Sequence, residues 1–180
     1  HVIHNVLATA LSSNSTLQEL SFISLTGPID NDAIWSPIFS ALGNTRALKS
    51  LQVDVSGIDE SLSTAIKNGL GTNTTLESLK FKGVRLCQDS CALGCSALSF
   101  LSTNKTLKFL TVDVPFLSPE SCVCSFRRHI AAMLQENVSL ERLSIPCVNE
   151  VKAEEYVALV TALRENTTLK TLQLQHCYYP

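Results

Sequence analysis

The chain is poor in the residues that usually announce chemistry. Aromatics are 6% of its 180 residues, and methionine and tryptophan occur once each. Against 16 acidic side chains stand only 14 Lys and Arg, a formal charge of −2. That balance builds no broad basic surface, so nucleic acid is not an expected partner. No apolar run approaches the ~20 residues that span a bilayer. No charged-then-apolar leader opens the chain, and no membrane partner is expected. Glycine occurs 7 times, but Gly69-Leu70-Gly71 and Gly94 lack the Lys-Ser/Thr context of a phosphate loop. The histidines, His1, His4, His129 and His176, enter no Ser-His-Asp or Cys-His spacing. The expectation is a non-enzyme with no cofactor, no metal and no small-molecule substrate. The hydrophobic fraction of 45% suffices for the core of one domain over residues 1–180.

What is present is a repeat. The pattern L-x-x-L-x-Φ begins at Leu17, Leu48, Leu76, Leu107, Leu140 and Leu169, at spacings of 31, 28, 31, 33 and 29. Six residues ahead of each stands another leucine: Leu11, Leu42, Leu70, Leu101, Leu134 or Leu163. Three residues ahead stands Asn14, Asn73, Asn104, Asn137 or Asn166, with Asn44 displaced by one in the second copy. Length therefore varies only after the pattern, and the turn before it is fixed.

Two periods give the architecture. Leu20 and Phe22 alternate, as on one face of a short strand. Ile130, Met133 and Leu134, like Leu159, Ala162 and Leu163, fall at helical spacing. Asp59-Glu60, Asp89-Ser90 and Ser118-Pro119-Glu120 are helix starts. Pro37 cannot sit deep in a helix, so Ser36-Pro37 opens a short one around residues 38–42. Asn ends each helix by adopting the left-handed conformation or by bonding its own backbone. The fold class expected is α/β: a right-handed βα solenoid of about six strands in a parallel inner sheet, with outer helices. Strands ~4.8 Å apart and helices ~10 Å wide bend such a stack, strands inside. Residues 2–12 read as a helix with no strand before it and 169–174 as a strand with no helix after it. The expectation there is a piece of a longer solenoid.

The in-phase L-x-x-L-x-Φ copies resemble leucine-rich repeats of the ribonuclease-inhibitor-like class. The Asn-x-Thr-Leu turns resemble repeats of NOD-like receptors. The resemblance implies a horseshoe and an intracellular recognition or sensing role. A GTPase-activating role, which the architecture also serves, is matched by no residue.

Strand positions between the framework leucines point away from the core. They form three rows. The first is Glu19, Ser50, Ser78, Phe109, Arg142 and Thr171. The second is Ser21, Gln52, Lys80, Thr111, Ser144 and Gln173. The third is Ile23, Asp54, Lys82, Asp113, Pro146 and Gln175. A protein partner bound on this concave face is the leading function. The residues assigned to it are Glu19, Gln52, Asp54, Lys80, Lys82, Phe109, Thr111, Asp113, Arg142, Ser144 and Gln173. Phe109 with Arg142 is the anchor pair, because aromatic and Arg side chains dominate binding energies. Lys49, Glu77, Lys108, Glu141 and Lys170, each next to a framework leucine, read as a solvated rim.

The 7 cysteines cannot all pair internally. Buried thiols are the favoured reading, ahead of a disulfide or a zinc site from Cys91, Cys95, Cys122 and Cys124. The Asn turns at 14, 73, 104, 137 and 166 match the N-glycosylation acceptor pattern. The repeat itself explains them, so a cytoplasmic location is preferred over a secreted, glycosylated recognition protein.

Overall fold

The structure, a computed structural model, describes residues 2–25, 32–55, 60–82, 96–113, 123–147 and 153–176. Its elements are α1 (Val2–Ser13), β1 (Glu19–Leu25), α2 (Asp32–Asn44), β2 (Ser50–Val55), α3 (Glu60–Thr72) and β3 (Ser78–Lys82). A 3₁₀ turn (Ser99–Ser102) and β4 (Phe109–Asp113) follow. The chain continues through α4 (Val123–Glu136), β5 (Arg142–Cys147), α5 (Ala153–Glu165) and β6 (Thr171–His176). The six strands form one parallel sheet in chain order. The α/β class and the parallel sheet thus stand as expected.

Register follows the leucine pattern. Leu20, Leu51, Leu79, Leu110, Leu143 and Leu172 pair in succession across the sheet. In the four inner strands these leucines are at most 1% exposed. Phe22, Val53, Phe81 and Val112 make the next paired row on the same face. Against them pack the helical Leu11, Leu42, Leu70, Leu101 and Leu134, which join one continuous core. Fully burying one such leucine stabilises by ~1.5–3 kcal/mol.

Helix α2 departs from expectation. It spans Asp32–Asn44 with Pro37 inside, where a short helix starting at Ser36-Pro37 was expected. The missing Pro37 amide removes one helical hydrogen bond, worth ~0.5–1.5 kcal/mol. Apolar contact outweighs it. Trp35, two residues before the proline, meets Phe22 edge-on at 5.7 Å and Phe39 at 6.2 Å. The start at Asp59-Glu60 agrees with α3 beginning at Glu60. Residues 89–90 and 118–120, expected as the other two helix starts, lie outside the described residues.

Two glycines let α2 and α3 approach closely. A Cβ at Gly69 would stand 2.0 Å from the Phe39 carbonyl oxygen, and one at Gly43 would stand 2.6 Å from the Gly69 carbonyl oxygen. In an ordinary helix interior, Gly→Ala gains about 1 kcal/mol. Here backbone would have to move. Gly69→Ala is therefore expected to destabilise the fold by ~1–3 kcal/mol, read as a lower urea midpoint at unchanged slope; a stabilised variant would refute the close packing.

Candidate functional site

The turns that feed the strands are held by asparagine side chains. In each, Oδ1 accepts from two backbone amides ahead of it. Asn104 Oδ1 takes the amides of Thr106 at 3.0 Å and Leu107 at 2.8 Å. Asn14, Asn73, Asn137 and Asn166 do the same. This is the own-backbone alternative of the two expected for the turn.

The amide nitrogen does something the sequence did not show. Asn73 Nδ2 donates to the Leu42 carbonyl at 2.6 Å and to Thr45 Oγ1 at 3.1 Å. Asn104 Nδ2 donates to the Asn73 carbonyl at 3.2 Å. Asn137 Nδ2 reaches the Asn104 carbonyl at 3.3 Å, and Asn166 Nδ2 the Asn137 carbonyl at 3.1 Å. The turns at Asn73, Asn104, Asn137 and Asn166 are thereby each tied to the unit before. In the second unit Thr45, not Asn44, holds the framework position, buried and bonded to the Leu42 carbonyl. Asn73, Asn104 and Asn137 are at most 5% exposed. Their amide nitrogens, the atoms a glycan would occupy, are already committed in the folded chain.

Strand amides repeat the tie. The Lys49 carbonyl accepts from both Glu77 and Ser78, the Glu77 carbonyl from Lys108 and Phe109, and the Glu141 carbonyl from Lys170 and Thr171. Side chains of the same row alternate in charge. Lys49 Nζ and Lys108 Nζ clasp the two oxygens of Glu77 at 2.9 and 3.0 Å, and Lys170 Nζ meets Glu141 at 2.8 Å. The expected solvated rim is a string of ion pairs. The Lys49 hydrogen bond, then that of Lys108, holds the Glu77 carboxyl below its ordinary value. The Lys170 hydrogen bond does the same at Glu141, partly opposed by desolvation.

On the face opposite the core, the strands bring the candidate residues into rows. Glu19, Ser50, Ser78, Phe109, Arg142 and Thr171 pair in register from β1 to β6. Ser21, Gln52, Lys80, Thr111, Ser144 and Gln173 form the second row. In the third, Lys82 pairs with Asp54 on one side and Asp113 on the other, and Pro146 pairs with Gln175. Phe109 is 36% exposed in the middle of the sheet. The Arg142 guanidinium sits over its ring, 5.4 Å from the centroid. Glu19 and Gln173 are exposed, and Gln52, Asp54, Lys80, Lys82, Thr111 and Asp113 are half-buried.

Ser144 is a correction. Assigned to the exposed face, it is 3% exposed. The Gln175 amide of the neighbouring strand donates to its hydroxyl at 2.8 Å and covers it. A serine is too short to rise past that longer side chain.

On the helical side an apolar cleft was missed by sequence reading. Leu98, Ile130 and Met133 wall it, with His129 and Glu136 also on its lining, and it holds about 170 Å³. That is below the ~300–1,000 Å³ of typical ligand pockets. Its walls come from two units about 30 residues apart, so no local motif marks it. Among the described residues no three His, Cys, Asp or Glu side chains converge on a metal-sized site. The cysteines offered for zinc or disulfides lie outside the described side chains. Among the described residues no helix is long and apolar enough to cross a membrane.

No known protein-family model matches the chain. Protein TORNADO 1 of Arabidopsis thaliana is 27% identical over 176 residues, which cover 91% of this chain and 12% of that protein. Two solved structures share the fold. One is leiomodin-1 Actin-Binding Site 2, with a TM-score of 0.61 and 18% identity over 88% of this chain and 86% of that one. The other is the tropomodulin C-terminal domain of Caenorhabditis elegans, with a TM-score of 0.61 and 13% identity over 91% of this chain and 92% of that one. The expected kinship with leucine-rich repeats of the ribonuclease-inhibitor-like class, and with NOD-like receptor repeats, is corrected by these neighbours. The physical reason lies in what the pattern encodes. Buried strand leucines and bonded Asn turns are what parallel strand-turn-helix units need to stack, so they report stacking and not descent.

Two outcomes test this construction. Asn104→Asp keeps the Oδ1 acceptor but sets a second acceptor against the Asn73 carbonyl; it should cost about 1–3 kcal/mol in urea unfolding, while Asn14→Asp, at an exposed turn, should cost less. Glu77 has a lowered pKa in the folded state, so its contribution is present above the unfolded carboxylate pKa and fades as pH falls through the folded one. Glu77→Gln should therefore flatten the acid limb of the stability curve, most visibly at low salt.

Proposed function

We propose that this chain is a non-catalytic protein-interaction module, one domain over residues 1–180, that binds its partner on the strand face. In this reading the units stack as an open right-handed solenoid with the strands on the concave side. Phe109 under the Arg142 guanidinium is the carrying observation, because an aromatic left 36% exposed on an otherwise polar sheet is an anchor seeking cover. Around it Asp54, Lys82 and Asp113 alternate in sign across three strands, a pattern that selects among partners by charge. Glu19, Gln52, Lys80, Thr111 and Gln173 complete the face. Ser144 supports Gln175 from beneath.

Actin is the first partner to try, because the leiomodin-1 domain of like fold is an actin-binding site. A cytoplasmic setting belongs to the same reading, since a chain that buries Asn73, Asn104 and Asn137 gains nothing from meeting glycosylation machinery.

The test places a photo-crosslinking phenylalanine at 109 and, as control, at Lys67 on α3. Adducts with a protein partner are expected from 109 and not from 67. Phe109→Ala and Arg142→Ala should each weaken binding of the captured partner about 10-fold or more, as loss of a hot-spot side chain does, with unchanged thermal unfolding. Capture from 67 alone, or full affinity in both alanine variants, would show the site is elsewhere.

A further inference from the structure

We infer that the occupant of the strand face is an extended acidic peptide segment of the partner, of the form acid-x-apolar-x-acid, whose carboxylates meet Arg142 and Lys80 on either side of Phe109. The inference rests on the strand-face reading above and adds the chemistry of what binds there.

Arg142 is held in place without a hydrogen-bond acceptor. Its guanidinium lies 5.4 Å from the Phe109 ring centroid, and among the described residues nothing accepts a hydrogen bond from it. Its neighbours in the row, Phe109 and Thr171, carry no charge. The nearby lysines differ: Lys49, Lys108 and Lys170 each meet a glutamate at 2.8 to 3.0 Å. Stacking covers one flat side of the guanidinium and leaves its N–H edges to water. A carboxylate can replace that water through two parallel hydrogen bonds, and a guanidinium already fixed on a ring loses little freedom in accepting it.

Lys80 is the second such cation. Gln52 and Thr111 flank it in the sheet, and among the described residues no acid pairs with it. Lys82, by contrast, has Asp54 and Asp113 as its neighbours. Charge on β2 to β5 is therefore sorted along the strands. The first two rows hold Arg142 and Lys80 and no acid, and the third holds Asp54 and Asp113 around Lys82. An anion gains most on the first two rows. Arg142 and Lys80 lie two strands apart, so two separated single charges suit them better than one compact dianion.

The spacing selects the form of the segment. Two strand steps of ~4.8 Å and two residues of ~3.3 Å separate the two positions by ~12 Å. In an extended peptide, residues i and i+4 share a face and lie ~13 Å apart, with i+2 between them on the same face. Phe109, on the strand between, meets that middle side chain, which is therefore apolar. The acids at i and i+4 then reach the two cations.

Selection of random peptides displayed on phage against the 180-residue chain reads the occupant directly. Enriched peptides should carry two acids four positions apart with an apolar residue midway. In fluorescence anisotropy with the best of them as labelled probe, Arg142→Lys, which keeps the charge and loses the fork, should weaken binding about 10-fold. Lys80→Glu should weaken it at least as much, and a fresh selection on that variant should replace one acid by Lys or Arg. Thermal unfolding checks that each variant folds; should Lys80→Glu fail, Lys80→Gln replaces it. Enriched peptides that need Phe109 but carry no acids overturn the inference and leave the strand-face reading standing. Peptides indifferent to Phe109→Ala sink both. A selection that enriches nothing, full affinity in Arg142→Lys, or a phosphoserine version of the probe that binds 10-fold tighter or more, also overturns the carboxylate assignment.

Discussion

The asparagine side chain at five of the six turns is the interaction on which the rest depends. Its oxygen closes the local turn and its nitrogen binds the previous unit, so one residue fixes both the direction of a strand and its distance from its neighbour. Each bond contributes only ~0.5–1.5 kcal/mol, but an unmade one would leave a buried donor or acceptor at ~1–3 kcal/mol. The turns at Asn73, Asn104 and Asn137 are therefore held by what their loss would cost. From those turns the leucines enter the core in register, and from that register the opposite face acquires its ordered rows. The face that Phe109 and Arg142 share is a consequence of asparagines on the far side of the framework leucines.

Legibility in the sequence followed distance along the chain. The leucine rows and the strand register were readable because alternation with period two acts within a few residues. So were the rows of candidate residues, since a strand that buries Leu110 and Val112 must turn Phe109, Thr111 and Asp113 the other way. The donor role of the asparagines was not readable, because each Nδ2 acceptor lies about one whole repeat away. Nor was the cover over Ser144, which depends on the length of Gln175 on another strand. Pro37 misled for a related reason: the local cost of a proline was visible, and the Trp35 contact with Phe22 across units was not. The kinship drawn from the repeat failed because stacking geometry constrains the same positions whatever the ancestry.

The ion-pair string on the strand row shows how much one layer can share. Glu77 serves two lysines, one from each neighbouring unit, and the backbone carbonyls of the same row serve two amides each. Side-chain charge and main-chain dipole therefore run along one line across the sheet. The side chains there remain solvent-facing, so their contribution is small and salt-sensitive.

Bonds that join each unit only to its neighbours also set how the chain answers a mechanical load. Tension applied along the stack acts on the joints in series, and every joint bears the whole force. The chain should yield one joint at a time, beginning at the weakest, so its extension under force would advance in steps of about one repeat of released chain. Where α2 and α3 meet through Gly43 and Gly69, the backbones touch and the joint is stiff. Strain would gather elsewhere, and the rows of the strand face would part there first.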